Sequence, residues 1–209
     1  MPLYREWSSD PYSLAAIWEI QEPPFFFIER TGLKPDIKNE KKRMEHLAAR
    51  FLLTHLQQDF PLLHIVPDAQ DKPRLKDNRY FFSLSHSYPY VAAVVSPYAE
   101  CGIDIQVWHP RMEQLQHKFL SPEEQLFFKT DPQLLTVAWC AKEAAYKWQG
   151  RRGVEFIDHL IIHQLAVHPT HYSLAIRLAL MNPMVEIKAE AFCEPDFACA
   201  VIANEKIPL

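Results

Sequence analysis

Between residues 80 and 107 three short strand-like runs, 80–87, 90–96 and 101–107, are separated by Pro89 and Pro97; the first and third alternate apolar and polar positions, and 90–96 is apolar up to Ser96. Period-two alternation broken by turn residues at this spacing is the mark of antiparallel strands, and here it reads as a meander. Upstream, 13–20 and 25–28 read as further strands. A helix follows from about Asp36, placed as its N-cap, to Gln58, because Met44, Leu47, Ala48, Phe51, Leu52 and His55 share one face and Pro61 ends the segment. Downstream the period changes. Residues 111–119 and 122–129 read as helical, the second capped by Ser121 with Glu124 in the capping-box position. A longer helix starts at Asp131-Pro132 and stops at Gly150. Strands are expected again over 154–165, 171–180, 184–193 and 197–203. The order is that of an α+β protein with two comparable halves, and the division falls beside the segment "GIDIQ", giving halves 1–102 and 103–209.

Bulk properties narrow the function classes. Apolar residues make up 48% of the chain, enough for a core. No apolar run approaches the ~20 residues that cross a bilayer, and "MPLYREWSSD" lacks the layout of a secretory signal. The formal charge of -4 argues against general nucleic-acid binding. Cys101, Cys140, Cys193 and Cys199 form no C-x-x-C pair, so reduced thiols in a cytoplasmic protein are expected. His159 and His163 are four apart, but Leu160, Ile161 and Ile162 favour a strand there and no third zinc ligand is evident.

The chemistry gathers in three segments. In "GIDIQ" the alternation puts Asp104 and Gln106 on one strand face, opposite Ile103 and Ile105. A buried carboxylate needs a cation, either a Lys or Arg side chain or a metal. In "WCAKEAAYKWQG" (139–150) Glu143 and Lys147 are four apart on a helix rich in apolar residues. Two carboxylates from a strand and a helix suit Mg²⁺, which takes one or two carboxylates and completes its shell with substrate phosphates. Lys142, Lys147 and Arg151 are candidate cations for such phosphates. The third segment, "FSLSHS" (82–87), offers the Ser85 hydroxyl and the His86 imidazole to an anion; no G-x-S-x-G elbow makes that serine a nucleophile.

Together with "DKPRL" (71–75) and "KFLSPEEQ" (118–125), these segments stand in the order and spacing of the 4′-phosphopantetheinyl transferases. The chain resembles the larger, surfactin-type, single-chain branch of that family. The resemblance implies two similar subdomains, each a small antiparallel sheet with a packed long helix, arranged about a pseudo-two-fold axis. It implies transfer of the phosphopantetheine arm of coenzyme A to a serine of an apo acyl or peptidyl carrier protein, with Mg²⁺ and release of adenosine 3′,5′-bisphosphate. By position, Asp104 and Glu143 are implied as Mg²⁺ ligands, with Gln106 where many relatives carry a second acid. Glu143, Lys147 and His86 are implied in catalysis. Lys72, Ser85, His86, Arg43, Arg50 and Lys147 are implied at coenzyme A, with the two arginines toward the 3′-phosphate. A cytoplasmic monomer follows, without nucleic-acid or membrane partners. Arg111, His117 and Lys118 are placed to meet an acidic carrier. Two other readings stay open at this point: a non-catalytic binding module for coenzyme A or a carrier, and another Mg²⁺-dependent enzyme of nucleotide diphosphates.

Overall fold

A computed structural model describes residues 2–180 and 183–203. The first part of the chain runs β1 (Leu3–Ser8), β2 (Leu14–Glu19), α1 (Pro24–Thr31), α2 (Glu40–Leu56), β3 (Ile65–Pro67), β4 (Pro73–Leu75), β5 (Phe81–Ser87) and β6 (Tyr90–Ser96). The second runs β7 (Gly102–Val107), α3 (Met112–Leu115), α4 (Pro122–Phe128), α5 (Pro132–Gln149), α6 (Phe156–His159), β8 (Leu160–Val167), β9 (Tyr172–Leu178), β10 (Val185–Cys193) and β11 (Phe197–Ile202). One antiparallel sheet has the order β1-β2-β6-β5 and the other β7-β11-β10-β9-β8, while β3 and β4 pair separately. The α+β class and the two sheets, each carrying a long helix, agree with the sequence.

Alternation within the strands assembles helix, sheet, sheet and helix into layers. On β6, Val91, Ala93 and Val95 face α2, where they meet Leu47, Ala48 and Leu52. Tyr90, Ala92 and Val94 face the second sheet, where they meet Ile103, Ile105, Phe197, Cys199 and Val201. Ala198, Ala200 and Ile202 of β11 turn the other way, toward Ala141, Ala144, Ala145 and Trp148 of α5. Both central strands are therefore buried on two faces, which explains their continuous apolar runs. Ile103 and Ile105 fix the orientation of β7: with these two in the inter-sheet core, Asp104 and Gln106 must face α5.

Four expectations are corrected, the first being the strand expected over 154–165, which begins only at Leu160 after the short helix Phe156–His159. The run 25–28 is helical, because Pro24 sits in the first turn and Gly32 takes a left-handed C-cap with φ 68°. Phe26 and Phe27 then pack against Trp18 and Phe51 as a helix face, with Phe25 exposed. The N-cap of α2 is Asn39, not Asp36: the Asn39 side chain accepts from the Lys42 N–H at 2.9 Å. And β7 does not continue the β5–β6 meander; it crosses to the second sheet as its edge and pairs with β11. The caps at Ser121, Asp131 and Gly150 stand as expected.

Gly102 begins β7 beneath α5. A Cβ there would lie 2.0 Å from the Ala144 carbonyl oxygen, a rigid backbone atom. Gly102→Ala is therefore expected to destabilise the protein by about 1–3 kcal/mol through overpacking, read as a lowered midpoint in thermal unfolding. An unchanged midpoint would show that α5 does not press on β7 here.

Candidate active site

Asp104 is 6% exposed and lies under α5. Its Oδ1 accepts from Lys147 Nζ at 2.7 Å and from Ser85 Oγ at 2.7 Å. Lys147 also donates to the Ile103 carbonyl at 3.0 Å, so the lysine bridges an edge carbonyl of β7 and the adjacent carboxylate. The cation that a buried Asp104 requires is thus supplied in the first instance by Lys147.

Glu143 stands one helical turn before Lys147 on α5. Burial, and then the neighbouring Asp104 charge, push its carboxyl from 4.5 up to about 7, against the opposing pull of Lys147. Among the described residues it has no hydrogen-bond or ion-pair partner. Two acids and one lysine leave a net negative charge in a desolvated place, and a substrate diphosphate would add more. The Gln106 Nε2 donates to the Val107 carbonyl at 2.9 Å, which leaves its side-chain oxygen as a neutral acceptor nearby. This all-oxygen donor set fits Mg²⁺ completed by substrate oxygens and water. No group of three or more His, Cys, Asp or Glu side chains able to hold a metal occurs among the described residues, so the protein alone does not make a full cage.

Two depressions flank these groups. One, of about 280 Å³, opens between the halves and is lined by Lys72, Leu84, Tyr146, Lys147, Gly150 and Arg152. The other, of about 500 Å³, includes Gln106 and Glu143 with His109, Lys118, Trp139 and Phe156. Lys147 faces the first and Glu143 the second, so the acids lie at the divide between them.

The remaining sequence-derived residues form a second group on the other side of β5. His86 projects opposite to Ser85, toward α2, where its Nδ1 is 3.4 Å from the buried Glu45 carboxylate. His46 lies beside it, pushed down to about 4 by burial, Arg50 and His86. Arg50, half-buried and with its pKa lowered by burial, donates only to the His46 carbonyl of its own helix among the described residues. The Nε of Arg43 is buried and has no hydrogen-bond partner among the described residues. Glu45 thus answers His86, whereas Arg43 and Arg50 meet no acid among the described residues and are left to suit an anion. Lys72 reaches the cleft near Gly150 but is tied to Glu100 at 3.0 Å, which Arg74 also holds.

Two candidate cations are reassigned. Lys142 is fully buried and donates to the Phe119 carbonyl (2.7 Å), the Phe156 carbonyl (3.0 Å) and Glu124 (2.8 Å), so no substrate phosphate reaches it. Arg152 rather than Arg151 lines the cleft. His159 and His163 do separate work: His159 Nδ1 accepts from the Glu155 N–H, and His163 lies 2.9 Å from Glu186. Sequence reading missed Glu45. It falls between Met44 and Ala48 on the packed side of α2, and a carboxylate at a core position was the signal available.

The profile of the 4′-phosphopantetheinyl transferase superfamily matches residues 100–202, a span that contains Asp104, Gln106, Glu143 and Lys147. Two relatives, each named 4′-phosphopantetheinyl transferase AcpT, come from Escherichia coli O157:H7 and Escherichia coli strain K12. Each is 26% identical over 167 residues, covering 73% of this chain and 82% of the relative.

Proposed function

Since the chain belongs to the 4′-phosphopantetheinyl transferase superfamily, we propose that it moves the phosphopantetheine arm of coenzyme A to a serine of an apo acyl or peptidyl carrier protein, in a Mg²⁺-dependent reaction. The observation that supports this most is that Glu143 of a helix feels the charge of Asp104 of a strand, with Lys147 bound to Asp104 at the divide between the two depressions.

In this reading residues 1–102 hold the nucleotide side of coenzyme A and residues 103–209 carry the metal site and dock the carrier. Asp104 and Glu143, with the Gln106 carbonyl beside them, would hold Mg²⁺, which when bound neutralises the diphosphate charge. Glu143, as general base, accepts the proton of the carrier serine. The serine oxygen forms a bond to the phosphorus next to pantetheine, and the bond from that phosphorus to the bisphosphate breaks. Lys147 and His86 hold the charge that leaves. Lys72 lies at the cleft wall, Ser85 sits where the cofactor side meets Asp104, and Arg43 and Arg50 form the 3′-phosphate end. Positioning and electrostatics supply most of the acceleration in such transfers.

The four free cysteines fit a reducing, cytoplasmic setting, and a single chain that carries both halves fits a monomer. No described helix is long and apolar enough to cross a membrane. The experiment that tests the function incubates the protein with coenzyme A, Mg²⁺ and apo carrier proteins and weighs each carrier by mass spectrometry. Addition of one phosphopantetheine to serine is expected, and no mass change on any carrier would overturn the reading.

Arg111, His117 and Lys118 are exposed, whereas Met112 and Phe119 between them are core residues. The charges are thus presented on a fixed base. Reversing Arg111 and Lys118 to Glu is expected to raise KM for the carrier on the order of tenfold by weakening electrostatic docking, with KM for coenzyme A unchanged. Equal effects on both would place these charges at the cofactor instead.

A further inference from the structure

β7 is an edge strand, and the N–H groups that point away from β11 belong to Ile103, Ile105 and Val107. Among the described residues no backbone strand receives them. Ser83, Ser85 and Ser87 of β5 do, through their hydroxyl oxygens, at 3.2, 3.2 and 3.0 Å. The serines recur at every second residue, so β5 presents a row of acceptors with the spacing of a strand edge. A serine oxygen that accepts still has a hydrogen to donate. Of the three, only Ser85 gives that hydrogen to a carboxylate, Asp104 Oδ1 at 2.7 Å, and Ser85 itself is 6% exposed. Its hydroxyl is therefore held from both sides before any ligand arrives.

We propose that Ser85 is a positioning residue: clamped by the Ile105 N–H, its hydroxyl fixes the Asp104 carboxylate in the orientation that receives the divalent cation, and it acts through Asp104 rather than by touching coenzyme A. The inference rests on the transferase reading above and assigns Ser85 a part within it. Ser83 performs the same edge capping without reaching an acid, which makes it the internal control.

The test uses the full chain and two binding measurements. Coenzyme A affinity is measured by calorimetry in chelator, and Mn²⁺ affinity of the protein–coenzyme A complex is measured from the free Mn²⁺ electron spin resonance signal. Ser85→Ala is expected to bind coenzyme A in chelator as wild type does, yet to lose about 10–100-fold in Mn²⁺ affinity, the usual cost of removing a hydrogen-bond partner of a metal ligand. Ser85→Thr restores the affinity and Ser83→Ala keeps it. Should the alanine variant unfold, Ser85→Cys supplies the second test, since a weaker donor of similar size is expected to give a smaller loss in the same direction. Weaker coenzyme A binding by Ser85→Ala in chelator would overturn the inference in favour of direct contact. Unchanged Mn²⁺ affinity would overturn it outright. In both cases wild-type transfer to the carrier is intact, so the reaction class survives. A wild-type complex that takes up no Mn²⁺ would overturn the inference together with Mg²⁺ dependence.

Discussion

Glu143→Gln is expected to lower carrier modification on the order of 10³-fold, the scale of a lost general base in a positioned site, and to leave the fold intact. The amide keeps the size and one acceptor of the carboxylate but can neither take the serine proton nor balance a divalent cation. Mass spectrometry of the carrier over a time course reads the loss. The same variant carries a stability signature of opposite sign. In the metal-free protein the Glu143 carboxyl is raised from 4.5 to about 7, so between those values the unfolded chain has released the proton while the folded one retains it. Glu143 therefore draws stability down as pH rises through that window. Glu143→Gln should match wild type near pH 4.5 and exceed it at pH 8 in chelator. A variant that is inactive and also less stable at pH 8 would point to a structural role for Glu143 instead.

Lys142→Met is expected to be the most damaging single change to stability, at about 3–5 kcal/mol, because it strands a buried carboxylate. Glu124 is 1% exposed, and its two oxygens also accept the N–H groups of Ile162 (2.7 Å) and Ser121 (2.8 Å). Lys142 completes that junction from α5 and draws in the carbonyls of Phe119 and Phe156, which flank the pocket at Glu143. For a chain of this size the loss corresponds to a midpoint lower by roughly 6–20 °C. Pairing it with Glu124→Gln should recover part of the loss, since the stranded charge is then removed. A fall below about 1 kcal/mol would mean that water reaches Glu124 in the variant.

These two residues also show how far a sequence can be read. Glu143 and Lys142 are neighbours in "WCAKEAAYKWQG", and both look like parts of the site, Lys142 as a cation for phosphate and Glu143 as a ligand for the metal. Successive positions on a helix are about 100° apart, so one faces Asp104 and the other the junction with α4. Which lysine serves the site depends on what packs against each face, and that is a matter of tertiary contact. The run "FFFI" is a parallel case. Three aromatics in a row favour a strand locally, and the prolines before them with a left-handed glycine after them tip the segment into a helix that packs on Trp18 and Phe51.

Alone, the sequence settled what depends on short-range physics. The strand at "GIDIQ" with Asp104 and Gln106 on one face, the capped helix carrying Glu143 and Lys147, the caps at Ser121, Asp131 and Gly150, and the α+β class all follow from periodicity and local hydrogen bonding. The tertiary structure decided who meets whom: that β7 leaves the meander for the second sheet, that Lys147 takes Asp104, that serines of β5 receive its edge, and that Glu45 stands behind His86. These contacts join residues tens of positions apart, and their partners are chosen by burial and by the need to satisfy each buried polar group, which no local pattern encodes.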